Sequence, residues 1–202
     1  MRRGRAGGDE AQLRRLPGAG ARAHPEGGGV VKQHVVLIGL PGAGKTTVGR
    51  LVAEQLHAGF VDVDTILVRK EGKPIAMIFA EKGEVAFREL ERRETDAVLA
   101  SEPAIITPGG GWAAQAGALE SAKPRAFVVY LKTKADTAAG RATPEGTRPM
   151  LMGEDPVARM RNLLKERAEF YEKAHAQVDT ERKAAAQVAD EVVRLAQTRA
   201  GW

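Results

Sequence analysis

The sequence predicts an α/β fold in which helices flank a parallel β-sheet. Short apolar runs typical of strands alternate along the chain with segments whose apolar residues recur at helical spacing. A glycine-rich loop of the kind that holds phosphate joins the first strand, residues 35–38, to the first helix. The run FVVYL at 127–131 is apolar throughout, as expected for a strand covered on both faces of its sheet. With 202 residues, one such domain is expected.

The elements follow in a regular order. Strands are predicted at 35–38, 60–64, 104–107, 127–131 and 177–180. Helices are predicted from Val48 to Leu56, in two short pieces separated by Gly72 and Pro74, at about 84–99, at about 155–176, and from about 188 to 195. Between 140 and 153 the segment ATPEGTRPMLMG, rich in proline and glycine, has little to bury and is predicted to be a mobile lid.

Composition excludes several classes of function. The chain has no cysteine, so disulfides and thiolate chemistry are excluded, and its four histidines lack the spacing of a metal site. Residues 1–32 carry +4 of the net charge of +5, so the rest of the chain is nearly neutral, and only 4% of residues are aromatic. We therefore expect no nucleic-acid partner. No apolar run approaches the roughly 18 residues of a membrane span, and we expect a cytoplasmic monomer.

Residues 1–33 are predicted to be a disordered basic tail rich in glycine and arginine, preceding a domain at 34–202. An arginine-rich transit peptide is one alternative, although the segment contains no serine. Translation that begins at Val30 or Val31 is another. N-terminal sequencing of the native protein distinguishes these alternatives.

The loop GLPGAGKTT matches the phosphate-binding pattern G-x-x-x-x-G-K-[ST] through Gly39, Gly44, Lys45 and Thr46. Its glycines allow backbone N–H groups to converge on phosphate, and the following helix adds partial positive charge at its N-terminus. In this motif the lysine reaches the β- and γ-phosphates, and the hydroxyl of Thr46 is a ligand for Mg²⁺. The pattern indicates a nucleotide site.

Three classes of protein use such a loop: guanine-nucleotide switches, motor or nucleic-acid ATPases, and small-molecule kinases. A switch is disfavoured because no D-x-x-G motif follows, so TKAD at 133–136 is predicted to start an ordinary helix. A motor would place an acidic residue at the end of an apolar strand, whereas AIIT at 104–107 ends in Pro108 and glycines. A kinase remains the best match.

Two aspartates close the second predicted strand. Alternation along residues 60–64 would put Asp62 and Asp64 on one side of the sheet, where one could face Mg²⁺ and the other an acceptor hydroxyl. A solvated strand end, or a helix N-cap at Asp64, accounts for the pair equally well when it is considered alone.

The segments GLPGAGKTTVGRLVAEQL, FVDVD, GKPIAMIF, GEVAFRELE, PGGG, RPML and RAEFY occur in this order between residues 37 and about 182. In this ordered set the chain resembles the shikimate kinases, which phosphorylate shikimate in aromatic amino-acid biosynthesis. The resemblance implies a P-loop kinase with a five-stranded parallel sheet of order 2-3-1-4-5, a mobile lid, and ATP and Mg²⁺ as cofactors.

The resemblance also implies roles for individual residues. Those implied to hold ATP are Gly42, Ala43, Gly44, Lys45, Thr46, Thr47, Arg141, along the adenine, and Arg148, from the lid. Thr46 and Asp62 are implied to serve Mg²⁺. Shikimate would be held by Asp64, Arg88, Gly109, Gly110, Gly111 and Arg167, with Lys45, Asp64 and Arg148 as the catalytic residues. The region of Arg182 and Lys183 would also approach the base.

Several of these residues also fit purely structural roles. Arg88 could form helix-surface pairs with Glu84 or Glu91, Arg167 lies in a charged helix, and PGGG could be a plain turn. Pro108, Trp112 and the absence of an asparagine-arginine pair after the glycines depart from the family pattern. A kinase for another acid or polyol, such as gluconate, and a nucleotide-binding regulator without turnover remain as alternatives.

Overall fold

The computed structural model describes residues 31–142 and 155–202. Within them, five parallel strands form one sheet in the order β2-β3-β1-β4-β5. The strands are β1 (His34–Ile38), β2 (Gly59–Asp62), β3 (Ala104–Thr107), β4 (Ala126–Lys132) and β5 (Ala176–Asp179). The helices are α1 (Lys45–Gln55), α2 (Val63–Glu71), α3 (Ile75–Leu99), α4 (Ala118–Ala122), α5 (Ala135–Ala142), α6 (Pro156–Tyr171) and α7 (Ala185–Arg199), with a 3₁₀ turn at Trp112–Ala114. The predicted fold class and strand order are confirmed.

The apolar character of the central strands follows from helices that cover both faces of the sheet. Val35 and Leu37 of β1 point into a core formed with α1 and α7, whereas Val36 and Ile38 point into a core formed with α2, α3, α5 and α6. Successive side chains of a strand point to opposite faces, so both sets are buried only when both faces are covered.

Three predicted boundaries differ from the structure. Strand β2 ends at Asp62 because the side chain of that residue accepts a hydrogen bond from the Thr65 amide and caps α2. The predicted helix that starts near residue 84 is joined to the short piece before it as α3, with a kink at Gly83 (φ 77°). Helix α6 ends at Tyr171 instead of continuing to 176, since the backbone N–H of His175 already pairs with Val128 of β4.

Within residues 31–142 and 155–202, no helix combines the length and the apolar character needed to traverse a lipid bilayer. The predicted tail at 1–33 lies almost wholly outside the described residues, and the predicted lid at 140–153 has only its first three residues within them.

Two histidines each accept a hydrogen bond from the backbone of a strand through a ring nitrogen that must stay unprotonated. His34 Nδ1 accepts a hydrogen bond from the Ala104 amide at 3.1 Å, and His175 Nδ1 accepts one from the Val128 amide at 2.9 Å. Burial lowers the pKa of both imidazoles. Below about pH 6.5 these two histidines would bind protons more readily in the unfolded chain than in the folded chain.

We therefore expect the free energy of unfolding to be highest above about pH 6.5 and to fall as the pH decreases, by at most about 1.4 kcal/mol per pH unit for each histidine. Urea denaturation at pH 7.5 and pH 5 measures this. The double variant His34→Gln, His175→Gln keeps an acceptor at both positions without titrating, and its pH dependence should be weaker. An equal loss of stability in the variant would contradict this assignment.

Candidate active site

The phosphate loop lies at the carboxyl end of β1 and leads directly into α1. Gly42 (φ 79°) and Gly44 (φ 90°) adopt left-handed backbone conformations that side chains disfavour. A Cβ at Gly42 would also collide with the Ala138 carbonyl of α5. The loop is therefore packed against α5, and Gly44 is the N-cap of α1, whose first N–H groups have no partner within the helix.

A cavity of about 380 Å³ opens beside this loop. It is lined by Gly42, Gly44, Lys45, Thr46, Thr47, Asp62, Asp64, Thr107, Pro108 and Arg141. The Lys45 residue is 7% exposed, and its ammonium donates hydrogen bonds to the carbonyls of Gly39 and Leu40, both at 3.0 Å. Ala43 is only 2% exposed, and its backbone N–H donates to the Leu40 carbonyl at 3.1 Å. Cation, glycine backbone and helix terminus together suit a polyphosphate.

Asp62 accepts hydrogen bonds from the hydroxyl groups of two threonines on different elements. Its Oδ2 accepts hydrogen bonds from Thr46 Oγ1 at 2.7 Å and from Thr107 Oγ1 at 3.1 Å. The expectation that Asp62 and Asp64 alternate on one strand is wrong: Asp62 ends β2, and Asp64 lies in the first turn of α2. The N-cap is likewise Asp62 and not Asp64. Both carboxylates nevertheless line the same cavity.

The three glycines after β3 form a wall on which distant side chains converge. A Cβ at Gly109 would overlap Glu91 Oε1 and lie 3.1 Å from Asp64 Oδ1. A Cβ at Gly111 would lie 2.5 Å from Arg88 Nη1. The glycines therefore give room to the carboxylate of Asp64 and the guanidinium of Arg88.

Arg88 forms both of the pairs expected on a helix surface, but one partner is not at the surface. Its Nη1 donates to Glu91 at 2.9 Å, and its Nη2 approaches Glu84 at 3.4 Å. The Glu91 side chain is fully buried, whereas that of Glu84 is 57% exposed. Gln115 Nε2 donates to the same Glu91 oxygen at 2.8 Å. Glu91 thus holds the Arg88 guanidinium against the glycine wall.

Arg167 reaches the same wall from α6. Its Nη1 donates to the Gly110 carbonyl at 3.0 Å, and the Tyr171 hydroxyl donates to the same oxygen at 2.6 Å. The Arg167 residue is only 8% exposed, and no carboxylate pairs with it in the part of the chain that the structure describes. A buried cation with this environment is costly unless an anion joins it.

A second cavity, of about 240 Å³, adjoins the first and shares Gly44, Thr47 and Arg141 with it. Arg141 donates to the side chain and the carbonyl of Thr180, each at 3.4 Å. Lys183 lines this cavity with Ala185 and Val188, and Lys183 also pairs with Glu191 at 2.7 Å. Arg182 is not among the lining residues. The cavity is more apolar than the first and suits a flat base.

The structure brings together most of the predicted site residues, and one falls outside it. Arg148 lies in the segment 143–154, outside the described residues. The sequence does not mark Thr107, Gln115 or Tyr171 as site residues, and it indicates Glu91 only as a surface partner of Arg88. Glu91 lies three residues after Arg88 on α3, so helical spacing is the one available indication of its position.

Comparison with known proteins agrees with this geometry. The family model for shikimate kinase matches residues 41–197. The shikimate kinase of Sulfurihydrogenibium sp. is 34% identical over 161 residues, which cover 80% of this chain and 96% of that protein. The shikimate kinase of Thermobifida fusca is 44% identical over 142 residues, covering 68% and 78% of the two chains.

Solved structures give the same result. Shikimate kinase from Acinetobacter baumannii, in complex with shikimate, superposes with a TM-score of 0.79 at 36% identity and covers 83% of this chain and 94% of its own. A gluconokinase from Sinorhizobium meliloti has a TM-score of 0.57 at 18% identity, covering 85% of this chain and 95% of its own, which shows a shared fold alone.

Proposed function

Because the chain belongs to the shikimate kinase family, we propose that it transfers the γ-phosphoryl group of ATP to the 3-hydroxyl of shikimate. One observation carries the proposal. Asp64, Arg88 and Arg167, which are distant in sequence, meet at the glycine wall next to the phosphate loop. An acceptor that has both a carboxylate and hydroxyl groups fits two guanidinium groups and a carboxylate placed in this way.

ATP would lie across the two connected cavities. Gly42 and Gly44 would offer backbone N–H groups to its phosphates. Ala43 would turn its N–H from the Leu40 carbonyl to the phosphates, and Lys45 would exchange its carbonyl partners for phosphate oxygens. Thr47 lines both cavities, which places it between phosphates and base. Arg141 lines both cavities and would lie along the adenine, and Lys183 of the second cavity would lie near the base.

The residues present also fit Mg²⁺. The oxygens of Thr46 and Asp62 are 2.7 Å apart at the edge of the phosphate cavity. Magnesium prefers oxygen ligands and is bound in nucleotide sites by one or two protein groups together with phosphates. Thr46 and Asp62 would hold the ion, which would neutralise charge that develops on the phosphate oxygens during transfer.

Charged side chains of the protein would orient the acceptor. Arg167 lacks a carboxylate partner within residues 31–142 and 155–202, and would gain one in the substrate. Arg88 would contribute a second guanidinium, and the backbone of Gly109, Gly110 and Gly111 would approach the ring closely because no side chain intervenes. Asp64 would then orient the hydroxyl and accept its proton.

Lys45 and Arg148 would offset the negative charge that spreads over the transferring group. Arg148 is proposed from the sequence resemblance, as is closure of the lid over the site. Most of the catalysis would come from positioning, because phosphoryl transfer needs little covalent chemistry from the protein. We further propose that residues 34–202 form the kinase domain and that it acts as a cytoplasmic monomer without nucleic acid.

Release of ADP from MgATP, measured with and without shikimate, tests the proposal. We expect release to depend strongly on shikimate and to be matched mole for mole by shikimate 3-phosphate, since an enzyme built for transfer should hydrolyse ATP slowly. Gluconate at the same concentration is the control acceptor and should have little effect. A rate of ADP release that shikimate does not change would remove the proposed function.

A further inference from the structure

We propose that Gln115 is a positioning residue that sets the affinity for the acidic acceptor. Its side-chain amide holds the buried Glu91 carboxylate, which in turn holds the Arg88 guanidinium at the glycine wall. This inference rests on the proposed function, because Arg88 is assigned there to the carboxylate of the acceptor.

The Glu91 carboxylate is the centre of the arrangement. The residue is 0% exposed, and a carboxylate removed from water is costly unless charged or polar donors satisfy it. Its Oε2 accepts from Arg88 Nη1 at 2.9 Å and from Gln115 Nε2 at 2.8 Å. Two donors that approach one oxygen from different elements fix the direction in which the carboxylate faces.

A neutral donor suits this position better than a second cation. The amide of Gln115 donates to Glu91 without competing for its charge, so Glu91 and Arg88 stay paired. The Arg88 guanidinium then packs where a Cβ of Gly111 would be, and its Nη2 makes a 3.4 Å contact to the exposed Glu84. Because that contact is long and lies at the surface, this nitrogen is the one that an incoming carboxylate can engage.

Gln115 is itself held firmly. Its backbone N–H donates to the Trp112 carbonyl at 3.0 Å, and its carbonyl accepts from the Ala118 backbone N–H at 3.1 Å. Trp112 is fully buried, and Arg92 donates to the carbonyl of Ala116 at 3.2 Å. One loop therefore supplies both the glycine wall and the amide that orients Arg88.

The variant Gln115→Leu removes the amide with little change in size. We expect the KM for shikimate to rise at least about tenfold, since a hydrogen bond to a buried charged group is lost. The kcat should stay within about threefold of wild type, and the KM for ATP should not change. Gln55→Leu is the control for loss of a glutamine amide at the surface, because it removes an exposed hydrogen bond to Asp190 at 2.9 Å, far from this wall. The control should keep wild-type kinetics.

Two further measurements separate positioning from general damage. In the Arg88→Ala background, Gln115→Leu should have no further effect on the KM for shikimate, whereas unrelated structural damage would add to the first effect. Gln115→Glu sets a second carboxylate against Glu91. The ratio of its KM for shikimate to the wild-type KM should fall as the pH is lowered from about 8 to 6, because a protonated glutamate can donate a hydrogen bond to Glu91 again.

The outcomes distinguish the inference from the function on which it rests. If Arg88→Ala raises the KM for shikimate while Gln115→Leu leaves it at the wild-type value, the role of Gln115 is overturned and the proposed function stands. Additive effects in the double variant overturn it as well. If the wild-type enzyme shows no turnover that depends on shikimate, both fail together.

Discussion

Replacement of Asp64 by asparagine is expected to lower kcat for shikimate phosphorylation by about 10²–10⁴-fold. Asparagine keeps the shape of the side chain and can still hydrogen bond to the acceptor hydroxyl, but it cannot take up the proton. The residue lies in the first turn of α2 and lines the cavity that also contains Lys45. Steady-state kinetics with both substrates varied will separate this loss from binding, since the KM for ATP should change by less than about twofold.

Asp136→Asn is the matched control for this change. Asp136 lies in the first turn of α5, as Asp64 does in α2, and its carboxylate pairs with Arg161 at 2.8 Å on the exposed surface. An exposed ion pair of this kind contributes at most about 1 kcal/mol to stability, so its loss should leave kcat unchanged. A kcat within threefold of wild type for Asp64→Asn would remove Asp64 from the chemistry.

The fold could be predicted because its determinants are local. A continuous apolar run such as residues 35–38 indicates a strand covered on both faces, and the glycines of the phosphate loop indicate backbone conformations that only they adopt easily. The error at the end of β2 has the same local origin. The alternation of FVDVD favours a strand, but the side chain of Asp62 caps a helix, and the cap determines where the strand ends.

The acceptor site could be predicted only in part. The resemblance indicated Arg88 and Arg167 through short motifs, yet it gave no account of what holds them. Gln115 and Glu91 are 24 residues apart and belong to different elements, and Tyr171 shares the Gly110 carbonyl with Arg167 across 61 residues. Contacts between such distant positions leave no periodic pattern in a single sequence, because they arise only after α3, α6 and the sheet have packed together.

Gly109→Ala is expected to lower kcat/KM for shikimate by about 100-fold or more. The backbone at Gly109 is not left-handed, so alanine is not excluded by conformation. Its methyl group would instead overlap Glu91 Oε1 and lie 3.1 Å from Asp64 Oδ1. Glu91 cannot move aside easily, because it is fully buried and held by Arg88 and Gln115. Kinetics and thermal unfolding together measure the effect, and overpacking of about 1–3 kcal/mol should also lower the Tm.

Gly59→Ala is the control that isolates this collision. Gly59 is the first residue of β2, and a Cβ there would lie 3.6 Å from the Cβ of Ala104, an ordinary van der Waals contact. Glycine in a strand is less favourable than alanine by about 0.5–1 kcal/mol, so this variant should be at least as stable as wild type and equally active. If Gly109→Ala keeps kcat/KM for shikimate within threefold of wild type, the buried carboxylate must have room to turn. The glycine wall would then not be the surface that fixes the acceptor in front of Asp64.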